Sequence, residues 1–451
     1  MNRKRILTGA GLLLIVLGTG AGTRKLLAAP QDAGAAPPKY TLAEYKAEQA
    51  VEMEQNLQNK IKLADDFVKQ YPNSTLMPYI YRAYYLTYYQ LKNYAGTLEY
   101  ADRQLALGDK IDTQGRLEAE VARAQAYYVG SGSDKPLQTP EVQTKSRDAA
   151  VQGLKTLDEW KKPDAMAQED YDKTRKGYTV LFNTIAAMTS MSLKDYPSAG
   201  NYYKAVLATD PTDAVSHFRL GVVYLQMTPP QGTDGFWELA RSIALKAPNA
   251  AQVQTYLKNQ LIRYQQPACD KLVDDQISEL ITLAGGSADK PATLSVPSAT
   301  DLQKARDDTA NFLPALKGGG DAGKVMWLAS CGLEYPDVAV FAMDAPAVEG
   351  DAITFKVYRP TTLDPDAAQK ELEAATDPNM QVKVGGQPEA SKIKKGDQFR
   401  FTGTLVSYSQ TPFLLTWDKA KVNAEDLPEE KAAPTKKGPG KKAPAKKAPA
   451  D

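Results

Sequence analysis

Between residues 41 and 283 apolar side chains recur every three to four positions and are interrupted at short intervals by Pro, Gly and Asp, which predicts a succession of helices joined by short turns. The pattern is clearest from Asp195 to Met227. Tyr196, Ala199, Tyr203, Val206 and Leu207 fall on one helical face that stops at Asp210-Pro211, and His217, Leu220, Gly221 and Tyr224 fall on the next. From residue 338 the period changes to two. The runs 338–343, 352–358, 380–384, 399–408 and 413–417 read as strands separated by Pro, Gly and Asp, and only 363–377 between them reads as helix.

The helical part starts at Thr41, an N-cap with Glu44 three residues on, and its first hairpin ends at Tyr71-Pro72. A second hairpin occupies 77–109, with Tyr81, Tyr84, Tyr88 and Leu91 answered by Tyr94, Leu98, Ala101 and Leu105. Further helices are expected over 116–128, 141–160, 165–193, 236–246, 250–264 and 270–283, with a Gly/Ser/Pro loop at 130–140. With Leu-Gly-x-x-Tyr at 220–224, and Ala199 and Tyr203 ahead of Pro211, the chain resembles the tetratricopeptide repeat, a helix-turn-helix unit of about 34 residues. Small residues such as Gly221 and Ala199 mark close helix approach. Tyr85 departs from the pattern, standing where Gly or Ala is expected, and predicts more open packing or a shifted register there.

The resemblance implies a binding function exercised through a concave groove lined by first helices. On this chain the matching positions are Tyr79, Arg82, Leu86 and Tyr89, then Leu181, Thr184, Met188 and Met191, then Val215, Phe218, Val222 and Gln226. Five strands and one helix in the C-terminal region resemble the oligonucleotide/oligosaccharide-binding (OB) fold, a small Greek-key barrel, with Gly403 as the bend in its long strand. The expected fold class is therefore mainly α, a tetratricopeptide-like helical-hairpin solenoid, followed by a small β-rich OB-like domain and a disordered basic tail. The expected boundaries are an export segment or membrane anchor at 1–29, a spacer at 30–40, the repeats at 41–285, a linker with short helices at 286–331, the β domain at 332–426 and the tail at 427–451.

Charge refines this picture. Arg3, Lys4 and Arg5 precede an apolar run over 6–22, the form of an export signal or short anchor, so a periplasmic or cell-envelope location is expected, with an uncleaved inner-membrane anchor as a variant. The tail carries Lys436, Lys437, Lys441, Lys442, Lys446 and Lys447 among Pro, Gly and Ala, and the body between the two basic ends is acidic by about ten charges. Such a tail cannot bury enough surface to order itself and suits a polyanion, for example an anionic membrane surface. The two cysteines, Cys269 and Cys331, are too few and too distant for a zinc site or a redox pair. They pair if the chain is exported, or stand as two separate thiols; spacing leaves both open.

Catalytic chemistry finds no support. Gly318 to Lys324 satisfies G-x-x-x-x-G-K, but Val325 replaces the Mg²⁺-binding hydroxyl and no buried strand precedes it. His217 is the single histidine, at a packing position, so no Ser-His relay, Cys-His relay or metal cluster can be assembled. No cofactor is expected. Phe399, Phe401 and Leu405 alternate onto a core face, leaving Tyr408 and Trp417 as the rings freest to be exposed. The expected function is a non-catalytic adaptor for a protein or peptide partner. The alternative is a nucleic-acid- or polyanion-binding protein using the OB-like domain and the tail, which the export segment argues against.

Overall fold

The computed structural model describes residues 39–362 and 364–428. The export segment, most of the spacer and the Lys-rich tail of the sequence reading lie outside them. The described residues form two compact units. One holds residues up to 264 together with 274–296, the other residues 265–273 together with 297 onward.

The first unit is built from helices α1 (Leu42–Met53), α2 (Leu57–Gln70), α3 (Met77–Gln90), α4 (Tyr94–Leu105), α5 (Thr113–Gly130), α6 (Pro140–Glu159), α7 (Gln168–Ser192), α8 (Tyr196–Thr209), α9 (Ala214–Gln226), α10 (Gly232–Ala244) and α11 (Ala250–Gln265), with most of α12 (Asp270–Gly286). Side-chain caps start most of them. Thr41 and Glu44 form the expected reciprocal capping box, and Asn56, Asn93, Asp112, Thr139, Asp195 and Asp213 accept from first-turn amides of α2, α4, α5, α6, α8 and α9. Two hairpin turns repeat one device: Lys92 and Lys194 take left-handed backbone, and the following Asn93 and Asp195 donate back to Tyr88 and Ser190 carbonyls at 2.9 and 2.8 Å while capping the next helix.

Apolar burial in this unit is divided into small clusters, each between neighbouring helices. One gathers Phe67, Ile80 and Tyr84, another Leu117, Tyr127, Trp160 and Phe182, a third Ala187, Tyr203, Leu220 and Val223. Gly221 earns its place at the α9/α10 crossing, since a Cβ there would lie 2.9 Å from the Gly235 carbonyl oxygen and from Leu239 Cγ. Tyr85 is not loosely packed, contrary to expectation. Its ring is 1% exposed because Ala101, Ala119 and Ala122 on α4 and α5 leave the volume it fills.

The second unit contains α13 (Ala299–Asp307), α14 (Phe312–Gly318), α15 (Gly320–Ser330) and α16 (Pro365–Ala374), with strands β1 (Glu334–Ala342), β2 (Ala347–Glu349), β3 (Ala352–Tyr358), β4 (Met380–Gly385), β5 (Gln398–Gln410) and β6 (Phe413–Val422). They form one sheet in the order β1-β5-β6-β4-β3-β2, antiparallel except for β4 against β6, and β1 pairs with β3 as well. Register on β5 shifts between Thr402 and Thr404, at Gly403, as the sequence suggested. One continuous core fills this unit: Val340, Phe355, Val382, Phe399, Phe401, Leu405 and Trp417 from the strands with Phe312, Leu313, Leu316 and Met326 from α14 and α15. The stretch expected as a linker with short helices thus supplies part of that core. The G-x-x-x-x-G-K run is the break between α14 and α15, where Gly319 and Gly320 take φ of +67° and +61°, and no strand leads into it.

Cys269 and Cys331 are joined, with Cα atoms 5.8 Å apart and 62 positions between them in sequence. Both belong to the second unit, and Gly332, at φ +77°, lets its backbone lie against Ala268 and Cys269.

Candidate functional site

From α1 to α7 the odd-numbered helices pack on one another, α1 on α3, α3 on α5 and α5 on α7, while α2, α4, α6 and α8 each sit between two odd ones. Helices α1, α3, α5 and α7 therefore form one layer, on which the groove positions expected on α3 and α7 lie, while the remaining ones are on α9. Between α1, α2 and α3 this layer opens into a pocket of 130 Å³. Its lining includes Tyr79, Arg82 and Leu86, three of the expected groove residues, together with Val51, Glu52 and Gln90. Tyr79 is 43% exposed. Arg82 reaches from α3 to α5, where its Nε donates to Glu118 Oε2 at 2.8 Å. That carboxylate continues the polar row, because Gln114 donates to its other oxygen at 2.9 Å and Trp160 Nε1 donates to Gln114 at 2.7 Å. Burial lowers and Glu118 raises the Arg82 pKa, with a net rise that keeps the guanidinium charged.

Other expected groove positions are less open. Tyr89 packs edge-on against Tyr94 at 5.9 Å, Leu181 and Met191 pack onto neighbouring clusters, and Thr184 is buried. Met188, Val215 and Val222 are half-buried, Phe218 meets Tyr256 of α11 edge-on at 5.8 Å, and Gln226 is exposed. The expected groove is therefore most open at α1 to α3. A larger cleft, 450 Å³, lies on the even-helix layer between α6 and α8, lined by Arg147, Lys155, Asp195 and Tyr202 among others.

Several polar groups inside the array escaped sequence reading. His217 is 7% exposed, as its packing position suggested, but its Nδ1 lies 2.5 Å from Glu238 Oε2 and its Nε2 3.1 Å from the Pro211 carbonyl. Both ring nitrogens thus face acceptors, and the ring joins α9 to α10. Glu120, on α5, is 2% exposed; Thr156 donates to one of its oxygens at 3.0 Å and the other has no donor. Burial pushes its carboxyl up to about 7, against the Thr156 bond and Arg116, which pull the other way. Tyr84 stacks on Tyr100 with ring centroids 3.9 Å apart and donates to Asp65, and burial raises its pKa further than that bond does. No spacing rule reveals the pairings between helices, since Tyr100, Asp65, Glu238 and Thr156 are 16 to 36 positions from their partners and meet them only when helices stack.

In the sheet unit the aromatic expectation needs one correction. Trp417 is fully buried, because Leu405 on the inward face of β5 is its register partner and Phe401 and Tyr335 pack edge-on against it at 5.5 Å. Tyr408 is half-buried and donates to the Leu316 carbonyl at 2.6 Å. Phe399, Phe401 and Leu405 are inside, as alternation required. No group of three or more His, Cys, Asp or Glu is placed to hold a metal, and no helix is long and apolar enough to cross a membrane, among the described residues.

No family model matches the sequence, and no curated protein does. Among solved structures the chain is similar to the C-terminal part of a TPR repeat-containing protein from Cytophaga hutchinsonii, at 13% sequence identity and a TM-score of 0.25, over 54% of this chain and 96% of that one. A likeness of that score carries no weight, and the helical-hairpin description rests on the helix pairings of this chain.

Proposed function

We propose that this chain is a non-catalytic interaction scaffold of the cell envelope that holds a protein or peptide through the odd-helix layer of its array. The observation that supports this reading is the pocket between α1 and α3, in which the exposed ring of Tyr79 and the side chain of Leu86 flank Arg82. An apolar ring and chain beside a fixed guanidinium suit a peptide side chain with a backbone or carboxylate acceptor next to it. The Cys269–Cys331 bond supports an exported location, because such bonds persist in oxidising compartments. We read the sheet, in which β1 meets both β5 and β3, as an OB-like barrel, and the Lys-rich tail as a polyanion-binding appendage. A nucleic-acid role finds less support, since the rings that stacking on bases would require are turned inward.

Panning a random peptide library against the full chain tests the scaffold reading. Peptides selected on the wild type are expected to lose about tenfold or more in affinity for Tyr79→Ala and Leu86→Ala. Selection of no peptide, or of peptides indifferent to both substitutions, would overturn it.

A further inference from the structure

The outward face of the sheet carries a pattern independent of the helical array. On β3, β4 and β6 the inward rows are apolar and buried, and the outward rows hold Lys356, Lys383 and Lys421, all exposed. Register places them on a diagonal. Lys356 stands opposite Gln381, which stands opposite Thr416; one row along, Thr354 stands opposite Lys383; one row further, Lys421 stands opposite Thr402 and its Nζ donates to the Gly385 carbonyl at 2.6 Å. The first step moves one strand over and two residues along, roughly 7–8 Å between Cα atoms, and the second crosses the register shift between Val382 and Val384 to the next strand. Among the described residues no carboxylate pairs with these three amines. Two acids share the face: Asp418 sits at the irregularity between Val382 and Val384 and accepts from the Lys419 amide at 2.8 Å, and Glu349 on β2 stands opposite Ala352.

A line of cations on a rigid sheet suits a linear polyanion, and the residues between the cations indicate which kind. A single-stranded nucleic acid needs rings to stack on, and the rings bordering this face, Tyr358 and its register partner Phe341, are both half-buried. An anionic bilayer favours apolar side chains that insert, and the rows instead hold Thr354, Gln381, Thr416 and Thr402. Hydroxyl and amide groups alternating with ammonium groups match a chain that alternates hydroxyls with carboxylates. We propose that the β3-β4-β6 face is a binding surface for an acidic polysaccharide, with Lys356, Lys383 and Lys421 as its cationic contacts and the intervening Thr and Gln side chains as its hydroxyl contacts. This surface belongs to the sheet and does not depend on the odd-helix layer of the array.

The test uses the full chain and a fluorescent oligogalacturonate at low salt. The variant Lys356→Gln/Lys383→Gln/Lys421→Gln is expected to bind about tenfold or more weakly and with a flatter salt dependence, since each exposed amine contributes modestly and additively. A charge-matched control, Lys69→Gln/Lys110→Gln/Lys161→Gln, alters exposed lysines of the array and is expected to change binding less than about twofold. Equal losses in both variants, or no binding by the wild type, would overturn the proposal. Tighter binding of an oligothymidylate or of anionic phospholipid vesicles, lost in the first variant alone, would also overturn it by assigning the face to a different polyanion.

Discussion

The helical array and the sheet unit bury their apolar residues in opposite ways. In the array each cluster is confined to adjacent helices, and the seams between clusters admit polar groups such as Glu120, Arg123 and His217. The sheet unit closes around a single core, in which Trp417, Phe401, Phe399 and Phe355 meet residues of α14 and α15 far away in sequence. Two consequences follow. The array responds to a perturbation locally, whereas the sheet unit responds as a whole.

The largest expected effect breaks the sheet side. Trp417→Ala removes a fully buried ring and is expected to cost about 3–5 kcal/mol, unfolding the sheet unit cooperatively while the helical signal of the array melts unchanged. Hydrogen exchange resolved by segment checks this, and protection lost in only one or two strands would argue against a single core. Reducing Cys269–Cys331, which closes a 62-residue separation, is expected to cost the same unit about 2–4 kcal/mol, read as a lower melting temperature with reductant.

On the array side Glu120 gives a pH dependence with a definite sign. Its folded carboxyl titrates at about 7 against an ordinary value of 4.5, so between those values the folded state holds a proton that the unfolded state has lost. Array stability therefore falls as pH rises through that window, by on the order of 3 kcal/mol, and is fully retained below it. Glu120→Gln should flatten this dependence, leaving the variant the more stable at pH 8 and near parity at pH 4.5. Equal slopes in thermal melts of the two proteins would show that the buried carboxyl does not control it. Gly221→Ala should cost about 1–3 kcal/mol, confined to α9 and α10, because the added Cβ meets the Gly235 carbonyl and Leu239. Smallest is the Arg82–Glu118 pair, half-exposed on the odd-helix layer, for which a double-mutant cycle should give under about 1 kcal/mol of coupling, decreasing with salt.

The same contrast explains what the sequence made legible. Helix positions in the array follow from a period that each helix carries by itself, so Thr41, Gly221 and Tyr203 were placed by local pattern alone. Local spacing misplaces Tyr85 because its room comes from alanines on two other helices, and it gives His217 a packing position but not its partner Glu238. In the sheet unit, alternation placed Phe399, Phe401 and Leu405 correctly, yet Trp417 was expected outside, since its side was decided by pairing with β5 across a shifted register. The stretch 286–331 reads as a linker with short helices because the faces of those helices are too small to signal burial until the strands cover them. The lysine diagonal is invisible along the chain for the same reason: its members are 27 and 38 positions apart.

The central claim is that the odd-helix layer is the binding surface. Its most direct test places a photo-crosslinking residue in the full chain, expressed in its native cell, at Tyr79, Leu86 or Met188 on that layer and at Gln152 or Lys155 on the even-helix layer. The account predicts a discrete protein adduct from the first three positions, strongest at Tyr79 and Leu86, and none from the last two. Adducts of equal yield from both layers, or from the even layer alone, would contradict it.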